Sequence, residues 1–169
     1  MASRHEQRAT ATGRLALHLL THGLSQTGVR QLAASAGISD RMLLYYFDSR
    51  EDALQAALEQ VAGGLEAQLA AATGARTRPE ALVPVLTRFM LAPEAWPAAQ
   101  LWLELVALAA RGRAPFDVIA RRIGTRFLQW AEDQLDLPEG AERRAAARQV
   151  MAAVEGEVVL AAVGLRAGP

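Results

Sequence analysis

Apolar residues recur at spacings of three and four along most of this chain. Strict alternation of apolar and polar residues does not last beyond a few positions, and β-branched residues are scattered. The first pattern is typical of amphipathic α-helices, whereas strands need the second. The sequence therefore predicts an all-α fold.

The first 48 residues are predicted to form three short helices. The first ends near Gly23, and its buried face is Leu15, Ala16, Leu19 and Leu20. The second is marked by Val29, Leu32 and Ala33, and Gly37 supplies the tight turn that follows it. The third buries Leu43 and Phe47, and its opposite face exposes Asp40, Arg41, Leu44 and Tyr45. A helix this short is not stable alone, so its neighbours must hold it.

A helical body of residues 49–169 is predicted to follow this three-helix head of residues 1–48. Ser49 and Asp52 have the spacing of a capping box and start a long helix that contains Gly63 and Gly64. Proline- and glycine-containing segments separate the later helices. These helices are expected at 79–91, 94–111, 115–136 and 140–166.

The 169 residues include 18 basic and 18 acidic side chains, so the formal net charge is zero. Every basic residue is arginine. The first 50 residues carry six arginines against Glu6, Asp40 and Asp48, a net charge of +3, and the remainder carries −3. This asymmetry favours a basic head that meets a polyanion.

The composition also excludes several classes of protein. Without cysteine there is no disulfide framework, cysteine nucleophile or thiolate metal site. No apolar run reaches the roughly 18 residues of a membrane span, and the polar N-terminus lacks the apolar core of a signal peptide. We therefore expect a cytoplasmic protein that binds no membrane.

The stretch from Leu24 to Leu54 reads LSQTGVRQLAASAGISDRMLLYYFDSREDAL. Its parts VRQLAASAGIS, LLYYF and SRE resemble the DNA-binding region of the TetR family of bacterial transcription regulators. The resemblance covers about residues 8–60. It implies a helix-turn-helix domain in residues 1–48, whose third helix enters the major groove, and a ligand-binding and dimerisation domain in residues 49–169.

The resemblance also implies which residues touch DNA. Arg30 approaches the groove from the second helix, and the Ser39 hydroxyl faces a phosphate. Asp40, Arg41 and Met42 form the base-facing turn. Arg41 is the best candidate for a bidentate contact to guanine, while Asp40 accepts from a cytosine amino group or orients Arg41.

Further DNA contacts lie at the end of the third helix and beyond it. Tyr45 and Tyr46 resemble an aromatic pair that contacts the backbone and thymine methyls, with Tyr46 divided between that role and the core. Arg50 keeps the phosphate-binding charge that is usually a lysine. Two positions depart from the family pattern. Leu44 stands where tyrosine is common, and a glycine precedes the second helix where threonine is common, so the helix cap or phosphate contact of that threonine falls to Thr27.

The resemblance implies a pocket for a small hydrophobic ligand within the body. Its candidate lining residues are Phe89, Trp96, Trp102, Glu104, Phe127 and Trp130. The helical spacing of the aromatic residues also fits ordinary core packing. Glu104 lies in an apolar segment, and a partner such as Arg111 or a neighbouring helix is favoured over a ligand role.

The last two helices are expected to form the surface of a homodimer, as a four-helix bundle with their copies. The residues assigned to it are Phe127, Val150, Met151, Val154, Val158 and Ala162. Part of this stripe must pack inside the protomer. A twofold dimer would place two recognition helices on a palindromic operator.

These expectations describe a DNA-binding regulator, a repressor released by its ligand, with no cofactor. Two alternatives are a helical interaction protein with a vestigial DNA-binding head and, less favoured, an all-α enzyme. No nucleophile–base pair or phosphate loop supports catalysis. His18 and His22 have a metal-ligand spacing but no third ligand, so no metal site is predicted.

Overall fold

The computed structural model of the protein describes residues 3–165, which contain eight α-helices. Within that range the only extended pairing is one parallel bridge between Thr77 and Leu135. The all-α prediction is confirmed, and the later helices begin and end within four residues of the expected positions. The helices are α1 Arg4–His22, α2 Val29–Ala36, α3 Asp40–Tyr46, α4 Arg50–Ala72, α5 Pro79–Met90, α6 Trp96–Ala110, α7 Phe116–Gln134 and α8 Ala141–Ala162.

Side chains at the helix starts explain why three of the first four helices, α1, α3 and α4, begin where they do. Ser3 and Glu6 form a complete capping box at the start of α1. The Ser39 hydroxyl accepts from the backbone N–H of Met42 at the start of α3. Ser49 accepts likewise from the N–H of Asp52, which is half of the predicted capping box. The two glycines inside α4 do not interrupt it.

The chain divides into two compact units. The first contains the residues up to Gly64 together with Glu104–Ala120, and the second contains Leu65–Leu103 together with the residues from Arg121 onward. The boundaries fall within α4, α6 and α7, so each of these helices contributes to both units. A functional division between residues 48 and 49 stays a prediction.

The first unit has its core where α1, α2 and α3 pack on one another. Gly37 makes the turn between α2 and α3 in the left-handed conformation, with φ 68°. That conformation strains any residue with a side chain, so the turn requires glycine. The largest fully buried side chains of this unit are Leu15, Leu19, Leu32, Leu43, Phe47, Leu54, Leu105 and Ile119.

The second unit is built on the packing of α5 against α8. Its core cluster is Leu69, Leu82, Leu86, Trp130, Ala131, Leu135, Ala147, Val150 and Val154. Backbone hydrogen bonds join Thr77 to Gln134 and Asp136, and thereby fix the segment before α5 beside the end of α7. None of the helices among the described residues is long and apolar enough to cross a membrane.

Arg143, on α8, is only 4% exposed. Its guanidinium donates to the Leu135 carbonyl at 3.4 Å and lies 3.9 Å from the exposed Glu139 carboxylate. Its Nε has no hydrogen-bond partner within residues 3–165. A buried charge with so few partners stabilises a fold little.

We predict that Arg143→Met leaves the free energy of unfolding unchanged or raises it by up to about 1 kcal/mol, because the methionine keeps the apolar stem and removes the buried charge. Urea unfolding followed by circular dichroism measures this. Arg144→Met, at the exposed neighbouring position, is the control for losing a charge. A clear loss of stability in the Arg143 variant alone would show that the bond to Leu135 stabilises the fold.

Candidate nucleic-acid interface

The third helix presents one buried and one exposed face, as its sequence predicts. Leu43 within it and Phe47 just after it are fully buried, which ties it to the core of the first unit. The opposite side is exposed and carries Asp40, Arg41, Leu44 and Tyr45. With seven residues, this helix needs support from outside itself.

Two arginines of α1 provide part of that support. Arg4 Nη2 donates to the carbonyl of Tyr45 at 2.7 Å, and Arg8 Nε donates to the carbonyl of Tyr46 at 3.0 Å. The last carbonyls of a helix have no partner within it, and a cation there also opposes the negative end of the helix dipole. We refer to Arg4 and Arg8 as the arginine clamp.

Ring and carboxylate contacts strengthen the clamp. The Arg4 guanidinium lies 4.7 Å from the centre of the Tyr45 ring, and that of Arg8 lies 5.0 Å from the centre of the Phe47 ring. Arg8 also pairs with the Asp52 carboxylate of α4, at 3.1 and 3.2 Å from its two oxygens. The clamp therefore joins α1, α3 and α4.

Tyr46 belongs to this supported end of α3. It is 7% exposed, and its hydroxyl donates to the Gln7 side chain at 2.8 Å. Of the two roles that the sequence leaves open for Tyr46, its position fits the core. Tyr45, by contrast, is 54% exposed.

Two further arginines also bond to backbone carbonyls of the first unit. Arg14 donates to the carbonyl of Ala36, the last residue of α2, at 2.8 Å. Arg50 donates to the Thr27 carbonyl at 2.6 Å and to the Thr27 hydroxyl at 3.1 Å, and pairs with Glu51 at 2.9 Å. The backbone N–H at the start of α4 and the Arg50 side chain lower the pKa of the Glu51 carboxyl.

These contacts give Thr27 and Arg50 partners within the first unit, and whether either residue touches a phosphate stays a prediction. Thr27 is 5% exposed, and its hydroxyl donates to the Leu24 carbonyl and accepts from Arg50. The Arg50 guanidinium fixes the turn before α2 to the start of α4. Arg50 therefore helps to position the helix-turn-helix in this structure.

The six arginines of the first 50 residues divide into two sets. Four bond to backbone carbonyls within the first unit: Arg4, Arg8, Arg14 and Arg50. The other two are Arg30 on α2 and Arg41 on α3, whose side chains are exposed and have no hydrogen bond or ion pair with any described residue. Ser39 and Asp40 are exposed beside Arg41, and Met42 is half-buried.

Glu104 is positioned by the turn after α1. Its carboxylate accepts from the backbone N–H of Leu24 at 2.7 Å. Gly23, with φ 67°, lies against the same carboxylate, and a Cβ at that position would overlap it. The expectation that Glu104 has a protein partner holds, but the partner is a backbone amide and not Arg111.

The other five candidate pocket residues lie in the second unit. Trp130 is a member of its core cluster, and Phe89 and Phe127 are half-buried against that cluster, which is the core-packing role. Trp96 and Trp102 are half-buried on α6. Trp102 Nε1 donates to Glu155 on α8 at 2.8 Å, and burial raises the pKa of the Glu155 carboxyl.

The α8 residues that were expected to form the dimer surface lie partly in the interior of this chain and partly on its surface. Val150, Val154 and Val158 are buried. These three side chains pack inside this chain, as part of the stripe was expected to, and the dimer surface itself stays a prediction. Met151 is half-buried and Ala162 exposed. Large apolar side chains are exposed at the C-terminal end of α8 and just beyond it: Val159, Leu160, Val163 and Leu165.

Comparison with known proteins agrees with this geometry. Residues 14–57 match the family model of bacterial regulatory proteins of the tetR family. That range spans most of α1, all of α2 and α3, and the start of α4. No curated protein sequence matches the chain.

Solved structures of transcriptional regulators have a similar fold, each at 20% sequence identity. A regulator from Rhodococcus sp. Rha1 gives a TM-score of 0.72, covering 93% of this chain and 83% of its own. A second from Rhodococcus sp., ascribed to the TetR family, gives 0.72 with coverages of 96% and 90%. FadR from Bacillus subtilis, in complex with stearoyl-CoA, gives 0.65 with 92% and 87%. The predicted resemblance to TetR-family regulators is confirmed.

We predict that Arg8→Ala lowers the free energy of unfolding by about 1–2 kcal/mol, because a charged hydrogen bond at a helix end and the Asp52 pair are lost together. Urea unfolding followed by circular dichroism measures the change. Arg30→Ala is the matched control and should stay within about 0.5 kcal/mol of the parent protein. Equal losses in the two variants would refute a structural role for the clamp.

We also predict that Glu155→Gln becomes more stable relative to the parent protein as the pH rises above about 4.5, which is the ordinary pKa of a glutamate carboxyl. The folded pKa is raised, so the unfolded chain loses its proton first and the parent protein loses stability over that range. Thermal unfolding from about pH 4 to pH 8 measures this, and Glu142→Gln, exposed on the same helix, controls for charge. A difference that is the same at every pH would contradict it.

Proposed function

We propose that this chain, a TetR-family regulator by its N-terminal segment and its fold, binds a palindromic operator as a homodimer and represses transcription until a small hydrophobic ligand releases it. DNA binding is supported by the division of the six arginines in the first 50 residues into two sets. Arg30 and Arg41 are exposed with no partner among the described residues, while the other four hold the helices that present them.

The exposed face of α3 has the chemistry that reads a major groove. Arg41 offers the paired donors that match the O6 and N7 of guanine. Asp40, one residue before it, either accepts from a cytosine amino group or orients Arg41. Arg30 adds a positive charge for a guanine edge or a phosphate.

The homodimer is supported by the surface of α8. Val159, Leu160 and Val163 are exposed near its end, as is Ala162. Contiguous apolar residues on a protein surface favour association, and a twofold axis pairs one patch with its own copy. Such a dimer would present its two α3 helices to half-sites about 34–36 Å apart or somewhat more.

The proposed ligand site lies in the second unit. Its half-buried aromatic residues on α5, α6 and α7 give apolar surface, and the Trp102–Glu155 pair adds a polar group among them. The structurally similar FadR holds stearoyl-CoA, which supports a hydrophobic ligand here. A ligand must favour the DNA-free state by several kcal/mol to release the operator.

Selection of bound sequences from a random pool of duplex DNA tests the proposed function most directly. The expected outcome is a palindrome whose half-sites are spaced by about one helical turn or somewhat more. Recovery of a single unrepeated half-site would refute the dimer on DNA. If no sequence is enriched at low salt, the protein is not an operator-binding regulator.

Arg41→Ala is predicted to weaken binding to the selected operator by about 1–3 kcal/mol and to relax the sequence preference at one base pair of each half-site. Fluorescence anisotropy against operators changed one base pair at a time measures both effects. Leu17→Ala, at an exposed position of α1, is the control. A uniform loss of affinity for all sequences would assign Arg41 to the phosphate backbone.

A further inference from the structure

The exposed face of the recognition helix contains one apolar side chain among polar ones. Leu44 is 51% exposed. It is three residues after Arg41 and four after Asp40, so these three side chains share one face of α3. The buried side of the helix is formed by Leu43 and Tyr46, and Leu44 is not part of that core.

An exposed leucine is common on protein surfaces, and Leu17 of α1, at 66% exposure, is an example. The position of Leu44 sets it apart, because it lies on the same face as Arg41, the side chain best suited to a base edge. Insertion of α3 into a major groove would therefore bring Leu44 against base edges as well.

The major groove offers a leucine one favourable partner. Thymine alone among the four bases presents a methyl group there, on its C5 atom, and the pattern that distinguishes the other bases is made of hydrogen-bond donors and acceptors. Against a cytosine or guanine edge, a leucine would take water away from polar atoms and give them no hydrogen bond in return. Against thymine it would bury a methyl group.

We infer that Leu44 reads the C5-methyl group of a thymine in each operator half-site, close to the base pair that Arg41 reads. The inference rests on the proposed operator binding and specifies the chemistry of one of its positions. Leu44 would thereby be a specificity-determining residue. It would favour thymine at one position through apolar contact alone, without a hydrogen bond to that base.

Replacement of each operator thymine in turn by deoxyuridine tests this, because it removes the methyl group and keeps the base pair. The operator is the one recovered from the random pool, and affinity is measured by fluorescence anisotropy with the full chain. At one thymine per half-site, deoxyuridine should weaken binding about fourfold, which is the loss of affinity expected when one buried methyl group is removed. In Leu44→Ala that penalty should vanish, and in the control Leu17→Ala it should remain.

Three results would overturn the inference while operator binding stands. They are a bound half-site without thymine, an operator in which every deoxyuridine is neutral, and a penalty that persists unchanged in Leu44→Ala. The last would assign the methyl contact to another side chain, such as Tyr45. If no DNA sequence is enriched at all, the proposed function itself fails, and this inference fails with it.

Discussion

A helix of seven residues leaves most of its backbone hydrogen-bonding groups without partners inside the helix, so it persists only where other parts of the protein supply them. In this protein the third helix depends on that supply at both ends. Ser39 satisfies a backbone N–H at its start, and the arginine clamp of Arg4 and Arg8 satisfies two carbonyls at its end. The buried Leu43 and Phe47 fix the helix to the core, and the clamp fixes its end to α1.

Most of the basic charge near the N-terminus therefore supports the helices. A net charge of +3 in the first 50 residues indicates a surface for a polyanion, yet most of its arginines bond to backbone carbonyls within the first unit. Arg30 and Arg41 remain as exposed cations on the second and third helices. With so few free charges, operator binding would depend on base contacts and on the spacing of two copies more than on general attraction to phosphate.

Much of this architecture could be predicted from the sequence, because helical periodicity, glycine stops and capping serines act over a few residues. The turn at Gly37 and the opposite faces of α3 are such local features, as is the start of α4 directly after Ser49. The partners of long polar side chains could not be predicted in the same way. The bonds of Arg8 to Tyr46 and of Glu104 to Leu24 join residues 38 and 80 positions apart, and depend on how the helices cross. The burial of Val150 on α8 likewise depends on packing against α5.

The arginine clamp holds the third helix in place, whereas Arg30 has no part in holding it. Amide hydrogen exchange within residues 40–46 measures the stability of that helix directly. We expect faster exchange there in Arg8→Ala, and exchange equal to that of the parent protein in Arg30→Ala. Equal protection of this helix in all three proteins would contradict it.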